Sequence, residues 1–175
     1  ATIGTSNSIE LKNSIDQIIN EFRINTISTS PGRIETDLLN ALNRKLIQSY
    51  DFDKVKDRLG EVDQKIDEKF WTAIRGNLNT VEEIKQWADI VFDSMIIEPK
   101  DKEFISLAID LMPDEPWDDD TWDKWTLAIK EKTNRKGKEL FLPLREAFTG
   151  LNQGPEMKKL IQLIGRSKII ERVKL

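Results

Sequence analysis

The chain has neither cysteine nor histidine. Without cysteine, disulfides and thiolate metal sites are excluded, and a reducing compartment is the natural setting. Without histidine, the commonest general base and the commonest metal ligand are both missing. No apolar run approaches the length that spans a bilayer, and no charged-then-apolar signal opens the chain, so no membrane contact and a cytoplasmic location are expected. No stretch alternates apolar and polar residues as a half-buried strand does, and no fixed period repeats. There is no glycine-rich phosphate loop ahead of a helix and no nucleophile elbow. Carboxylates such as Asp63 and Asp67 sit four apart on an acidic segment, where they read as solvated charges. No catalytic residue is expected, and no metal ligand.

What the chain does have is 175 residues, 38% of them hydrophobic and 33% charged, with five tryptophans. That composition fits helices with one buried and one solvated face. The net charge of −4 hides an asymmetry. Residues 130–175 carry 12 basic and 5 acidic groups, a net +7, whereas residues 1–129 carry 15 and 26, a net −11. A basic block at one end of an acidic chain fits local rather than diffuse binding of nucleic acid, and equally a solvated basic face.

Apolar residues recur at helical spacing along the chain. Ser14 with Gln17 forms a capping box ahead of Ile15, Ile18, Ile19 and Phe22, expected to be a buried stripe. Ser28–Gly32 reads as a loop, and a second helix is expected from about Thr36 with Leu38, Leu39, Leu42, Leu46 and Ile47 inward. A third starts at Asp51-Phe52-Asp53 and buries Val55, Leu59 and Val62. A fourth runs from about Asp63 to a stop at Gly76. Thr80–Glu83 is a second capping box, starting a fifth helix with Ile84, Trp87, Ala88 and Val91 inward, and Lys100–Met112 is a sixth helix. Pro113-Asp114-Glu115-Pro116 followed by acids marks the best boundary in the chain. The acidic run Asp118–Asp120 lacks calcium-loop spacing and is expected to cap the helix of Trp122, Trp125 and Ile129. The fold class is therefore all-α, in two consecutive helical bundles. The expected divisions are 1–30 as a linker, 31–115 as a first helical subdomain and 116–175 as a second.

The most informative stretch is Arg135–Gly150. Gly137 supplies a turn flanked by Lys136 and Lys138, and Leu140, Phe141, Leu144, Ala147 and Phe148 should face a core. Pro143 should either kink that helix or start a new one, which would put Arg145 in a positively polarised first turn suited to phosphate or base acceptors. Read from composition alone, Arg145 fits as well a surface arginine paired with Glu146. Further on, Pro155 should start a helix carrying Met157, Leu160, Ile161 and Ile164, and Ser167 should cap a last short one.

The order of these residues resembles the C-terminal part of bacterial glutamyl-tRNA synthetases. In that family a segment close to G-R-K-G-K-x-L-F-x-P-L-R-x-A-x-T-G is followed by G-P-E and then L-L-G-R. Here the matches are Arg135-Lys136-Gly137-Lys138, Pro143-Leu144-Arg145, Thr149-Gly150, Gly154-Pro155-Glu156 and Ile164-Gly165-Arg166. Ile3–Ser6, Asn43-Arg44-Lys45 and Pro113–Trp117 resemble further family segments. The two ATP signatures of the family are missing, so the resemblance implies an anticodon-binding helix cage, with ATP and magnesium belonging to a catalytic half outside it. Residues 1–30 would then be the end of the region that contacts the tRNA stem. The resemblance implies that Arg145 reads an anticodon base, with Gly154, Pro155 and Met157 holding the loop; Met157 fits plain core equally well. Lys136, Lys138 and Arg135 would meet tRNA phosphates, as would Lys45 and Asn43. Some members use an arginine for the third anticodon base where the nearest match here is Asn77, with Arg75 two residues earlier. That implies weaker discrimination unless Arg75 turns in, and so tRNA(Glu) as partner with tRNA(Gln) as a second. The expected state is a monomer. The reading from another class is a non-catalytic helical protein–protein interaction module, which would bind with little dependence on salt.

Overall fold

The computed structural model describes residues 10–12, 14–28 and 36–175. The Ile3–Ser6 segment, Asn13 and residues 29–35 lie outside the described residues. Among the described residues ten α-helices follow in order: α1 (Ile15–Glu21), α2 (Thr36–Ser49), α3 (Lys56–Gly60), α4 (Glu68–Ile74), α5 (Ile84–Phe92), α6 (Lys102–Asp110), α7 (Thr121–Thr133), α8 (Lys138–Thr149), α9 (Met157–Ile164) and α10 (Arg166–Arg172). Among the described residues, extended pairing is confined to one parallel bridge between Ile97 and Val173. The all-α class holds.

Three helix starts follow side-chain caps. Ser14 accepts from Gln17 N–H, Asp67 from Phe70 N–H and Asp101 from Phe104 N–H, each relieving an unpaired first-turn donor. Several boundaries move from the sequence expectation where local turn contacts take over. The fourth helix begins at Glu68 rather than near Asp63, because Asp63 instead closes its own turn on Lys65 N–H. The fifth begins at Ile84 rather than in the Thr80–Glu83 box, because the Glu83 carboxylate turns back to Asn79 N–H at 2.8 Å. Ser167 caps nothing. Gly165, at φ +82°, turns the chain so sharply that α10 starts at the next residue.

Pro143 neither starts nor ends a helix. It lies inside α8, which runs unbroken through it, so Arg145 sits beyond the first turn. An interior proline costs about 3 kcal/mol. Leu140, Leu144, Ala147 and Phe148 are all buried on that helix, and burying large apolar side chains at about 1.5–3 kcal/mol each outweighs the cost.

One continuous cluster of buried side chains extends from Ile47 to Val173. At its centre α9 packs on α4, α5, α7 and α10, joining the first half of the chain to the second. Trp125 stacks on Phe148 at 5.5 Å between ring centres and meets Trp122 edge-on, and its indole N–H reaches Ala108 O at 2.8 Å. From α10, Lys168 donates to Val91 O and Phe92 O at the end of α5, and Arg172 Nη1 to Phe148 O at the end of α8. Both cations sit where helix carbonyls lack partners.

The stripe expected on α1 is not buried. Ile15, Ile18, Ile19 and Phe22 are 70%, 38%, 62% and 44% exposed. On α2 only Ile47 is buried and Leu39 is half exposed. Val62 and Phe141 are likewise exposed.

Candidate nucleic-acid interface

The turn between α8 and α9 is built from Thr149 outward. Its hydroxyl donates to Arg145 O at 2.7 Å and accepts from Leu151 N–H at 3.1 Å, fastening the first residues of the turn to the helix. Gly150 ends α8 at φ +73°, with its N–H on Glu146 O. Gly154, at φ +142°, lies flat against the Trp87 indole of α5. Pro155 and Met157 are buried, and the Pro155 carbonyl accepts from Arg145 Nη2 at 2.8 Å. Arg145, Gly154, Pro155 and Met157 are thus brought together.

Arg145 is half-buried. Its expected alternative partner, Glu146, pairs with Lys100 at 3.1 Å instead. No carboxylate lies within ion-pair distance of Arg145 among the described residues, and its Nη1 is buried without a partner there. Burial pushes the guanidinium below its ordinary pKa, with no anion to oppose the shift. A planar cation with one donor engaged by a carbonyl and another unmet is suited to a ligand rich in acceptors.

Lys138 opens α8 and is exposed. It precedes Arg145 by seven residues, so the two share a face about 10 Å apart along the axis. Lys136 is exposed in the preceding turn, and neither lysine makes an ion pair among the described residues. Arg135 behaves differently. It donates to Asp101 Oδ2 at 2.7 Å and lies 4.1 Å over the Phe104 ring, so it ties the α7–α8 connection to α6.

The second group lies where α2 meets the 3₁₀ turn Arg75–Asn77 that follows α4. Gln48 donates to Gly76 O at 3.0 Å and Asn43 to Asn79 O, pinning the turn from both sides. Arg75 Nη1 is engaged on Tyr50 O at 2.7 Å, sharing that acceptor with the Trp71 indole at 3.0 Å. Asn77 is exposed and its carboxamide has no hydrogen bond among the described residues. Lys45 is exposed on α2. The α9 packing on α4 links this group to the Arg145 group.

Trp87 is buried as its helical spacing implies, but its contact with Gly154 spans 67 positions and leaves no local signal in the sequence. Asp118 Oδ1 accepts from Asp120 N–H and the Thr121 hydroxyl, and among the described residues no group of three or more acidic side chains is placed to hold a metal ion.

Residues 37–175 match the family model described as Anticodon binding domain. A relative named glutamate–tRNA ligase 2 from Hyphomonas neptunium is 39% identical over 176 residues, covering 99% of this chain and 40% of its own length. The protein of the same name from Ehrlichia canis is 41% identical, with 99% and 39% covered. The chain therefore spans about two fifths of the length of these curated relatives. The crystal structure of a glutamate–tRNA synthetase from Elizabethkingia anophelis superposes with a TM-score of 0.71 at 16% identity, over 91% of this chain and 35% of that one, a likeness of fold.

Proposed function

Since the chain belongs to the anticodon binding domain family, we propose that it reads the anticodon loop of tRNA(Glu) as one part of a longer, cytoplasmic and monomeric glutamate–tRNA ligase. The amino-acid activation that such a ligase performs with ATP and magnesium would lie in the portion outside this chain. The observation that carries the reading is Arg145: a half-buried guanidinium without a carboxylate, with one buried donor unmet, two turns along the same helix from an unpaired lysine. An unstacked base offers acceptors to such a fork, and Lys136 and Lys138 supply sequence-blind charge for the phosphates on either side.

Residues 116–175 would bind the first part of the anticodon, and residues 31–115, through Asn77, would meet its third base. A carboxamide both donates and accepts, so Asn77 tolerates more than one base edge. Arg75 is held by Tyr50 O and is not available for that role without breaking a charge-assisted bond. Weak discrimination at the third base follows, with tRNA(Gln) bound as well as tRNA(Glu). Filter binding with both transcripts at several salt concentrations tests this. The expected result is steep salt dependence and similar affinity for the two tRNAs. Salt-independent binding of a protein instead would favour the interaction-module reading.

A further inference from the structure

A Cβ built on Gly154 would overlap Trp87 Cη2 and stand 2.8 Å from Cζ2 and 3.1 Å from Cζ3. The outer edge of the indole is therefore seated on bare backbone, closer than any residue with a side chain allows. Trp87 is 7% exposed and comes from α5, a helix that packs on α9. The next residue, Pro155, has a fixed φ, so rotation at Gly154 is passed directly to the direction of the Pro155 carbonyl. That carbonyl is the one hydrogen-bond acceptor of the Arg145 guanidinium among the described residues. The other end of the turn is already fastened by Thr149. The remaining freedom of the turn lies around Gly154, and Trp87 removes it.

We infer that Trp87 is a positioning residue for Arg145, acting through Gly154 and the Pro155 carbonyl to fix the plane in which the guanidinium meets a base. The inference rests on the anticodon reading above. A fork of donors discriminates between bases only while its plane is held, so loss of the indole edge costs base preference more than it costs overall affinity. The same contact explains why position 154 demands glycine on two counts, the positive φ and the space.

The test is a double-substitution cycle on the 175-residue chain: wild type, Gly154→Ala, Trp87→Phe and the pair. The probes are a tRNA(Glu) transcript and the same transcript with one anticodon base changed, and the readout is the ratio of the two Kd values. Gly154→Ala is expected to lower that ratio about tenfold. Adding Trp87→Phe, whose shorter ring clears the new methyl, is expected to recover at least half of the loss on a logarithmic scale. Strain from the positive φ is present with and without the indole, so it cancels in the cycle. With Arg145→Ala the ratio starts low and Gly154→Ala moves it no further.

Trp87→Phe alone, which keeps a ring in the core, should lower the ratio several-fold and serves if Gly154→Ala does not fold. An RNA-free readout is the ¹⁵N resonance of the Arg145 guanidinium, expected to shift in Gly154→Ala and to return in the pair. Strictly additive effects on the ratio together with an unmoved resonance would overturn the inference. A coupled resonance in a protein without anticodon preference would leave the mechanical link standing and remove the anticodon reading. Clear anticodon preference with no coupling would do the reverse.

Discussion

Arg145→Met separates a binding residue from a structural one. Methionine keeps an unbranched stem of similar reach, so the apolar part of the packing is retained while the guanidinium is removed. The bond from Nη2 to Pro155 O disappears, a loss of about 1.5–3 kcal/mol for a charge-assisted hydrogen bond. Against it, the buried and unpartnered Nη1 no longer has to be dehydrated, a gain of about 1–3 kcal/mol. Relief of a half-buried cation without a counter-ion adds to the same side. The two sides offset each other, so the free protein should change by about 1 kcal/mol or less, a shift in Tm of no more than about 4 °C for a chain of this size. Binding should behave otherwise. Loss of a base-reading arginine costs about 1–3 kcal/mol, or roughly 5- to 150-fold in Kd, and flattens the preference among anticodon bases. Thermal unfolding by circular dichroism and filter binding of paired transcripts measure the two effects. A Tm lowered by about 8 °C or more, with base preference unchanged, would make Arg145 a structural cap for the turn and refute the reasoning.

Lys136→Ala and Lys138→Ala should each weaken every RNA alike and reduce the slope of log K against log salt by about 1, whereas Arg135→Ala should leave that slope unchanged and lower Tm, because its charge is committed to Asp101 and Phe104. Asp101 is held below the usual carboxylate range, first by the Arg135 guanidinium and then by Phe104 N–H. Its folded pKa is depressed, so its contribution is present above the unfolded value near 4 and is lost as pH falls through the lower folded one. Melting curves of Asp101→Asn should therefore show a shallower fall of Tm than wild type as pH drops below about 4. Asn77→Arg should favour tRNA(Glu) over tRNA(Gln) by replacing an ambivalent carboxamide with donors alone, and competition binding with the two transcripts reads the change. Leu160→Ala, at a fully buried position on the central helix, should cost about 2–5 kcal/mol and lower Tm without altering the ratio between tRNAs.

Local features were the most legible. The Ser14 cap, the turn at Gly137, the helix carrying Trp122 and Trp125, and the buried set Leu140, Leu144, Ala147 and Phe148 all follow from spacing and capping chemistry. Periodicity misled on α1. A 3.6-residue stripe reports that one face is apolar, not that anything covers it, and Ile15 and Ile19 remain in water among the described residues. Pro143 misled for the opposite reason: the local rule is sound, but burial supplied by distant helices outweighs it. At the site, the residue types were legible and their engagements were not. That Arg135 and Arg75 are already bonded, while Arg145 and Asn77 retain free donors, depends on Asp101, Tyr50 and Pro155 arriving from elsewhere in the chain.

The two clasps on α10 have a consequence for how the molecule is made. Lys168 and Arg172 close the ends of helices that emerge from the ribosome well before them, α5 some eighty residues earlier and α8 about two dozen. A growing chain can coil both segments early, yet their final carbonyls lack these two cations until α10 has been made. Until then the Phe148 carbonyl and the final carbonyls of α5 lack the donors that α10 brings. A purified chain truncated after Gly165 should accordingly be cut by protease near both helix ends, and the 175-residue chain should resist.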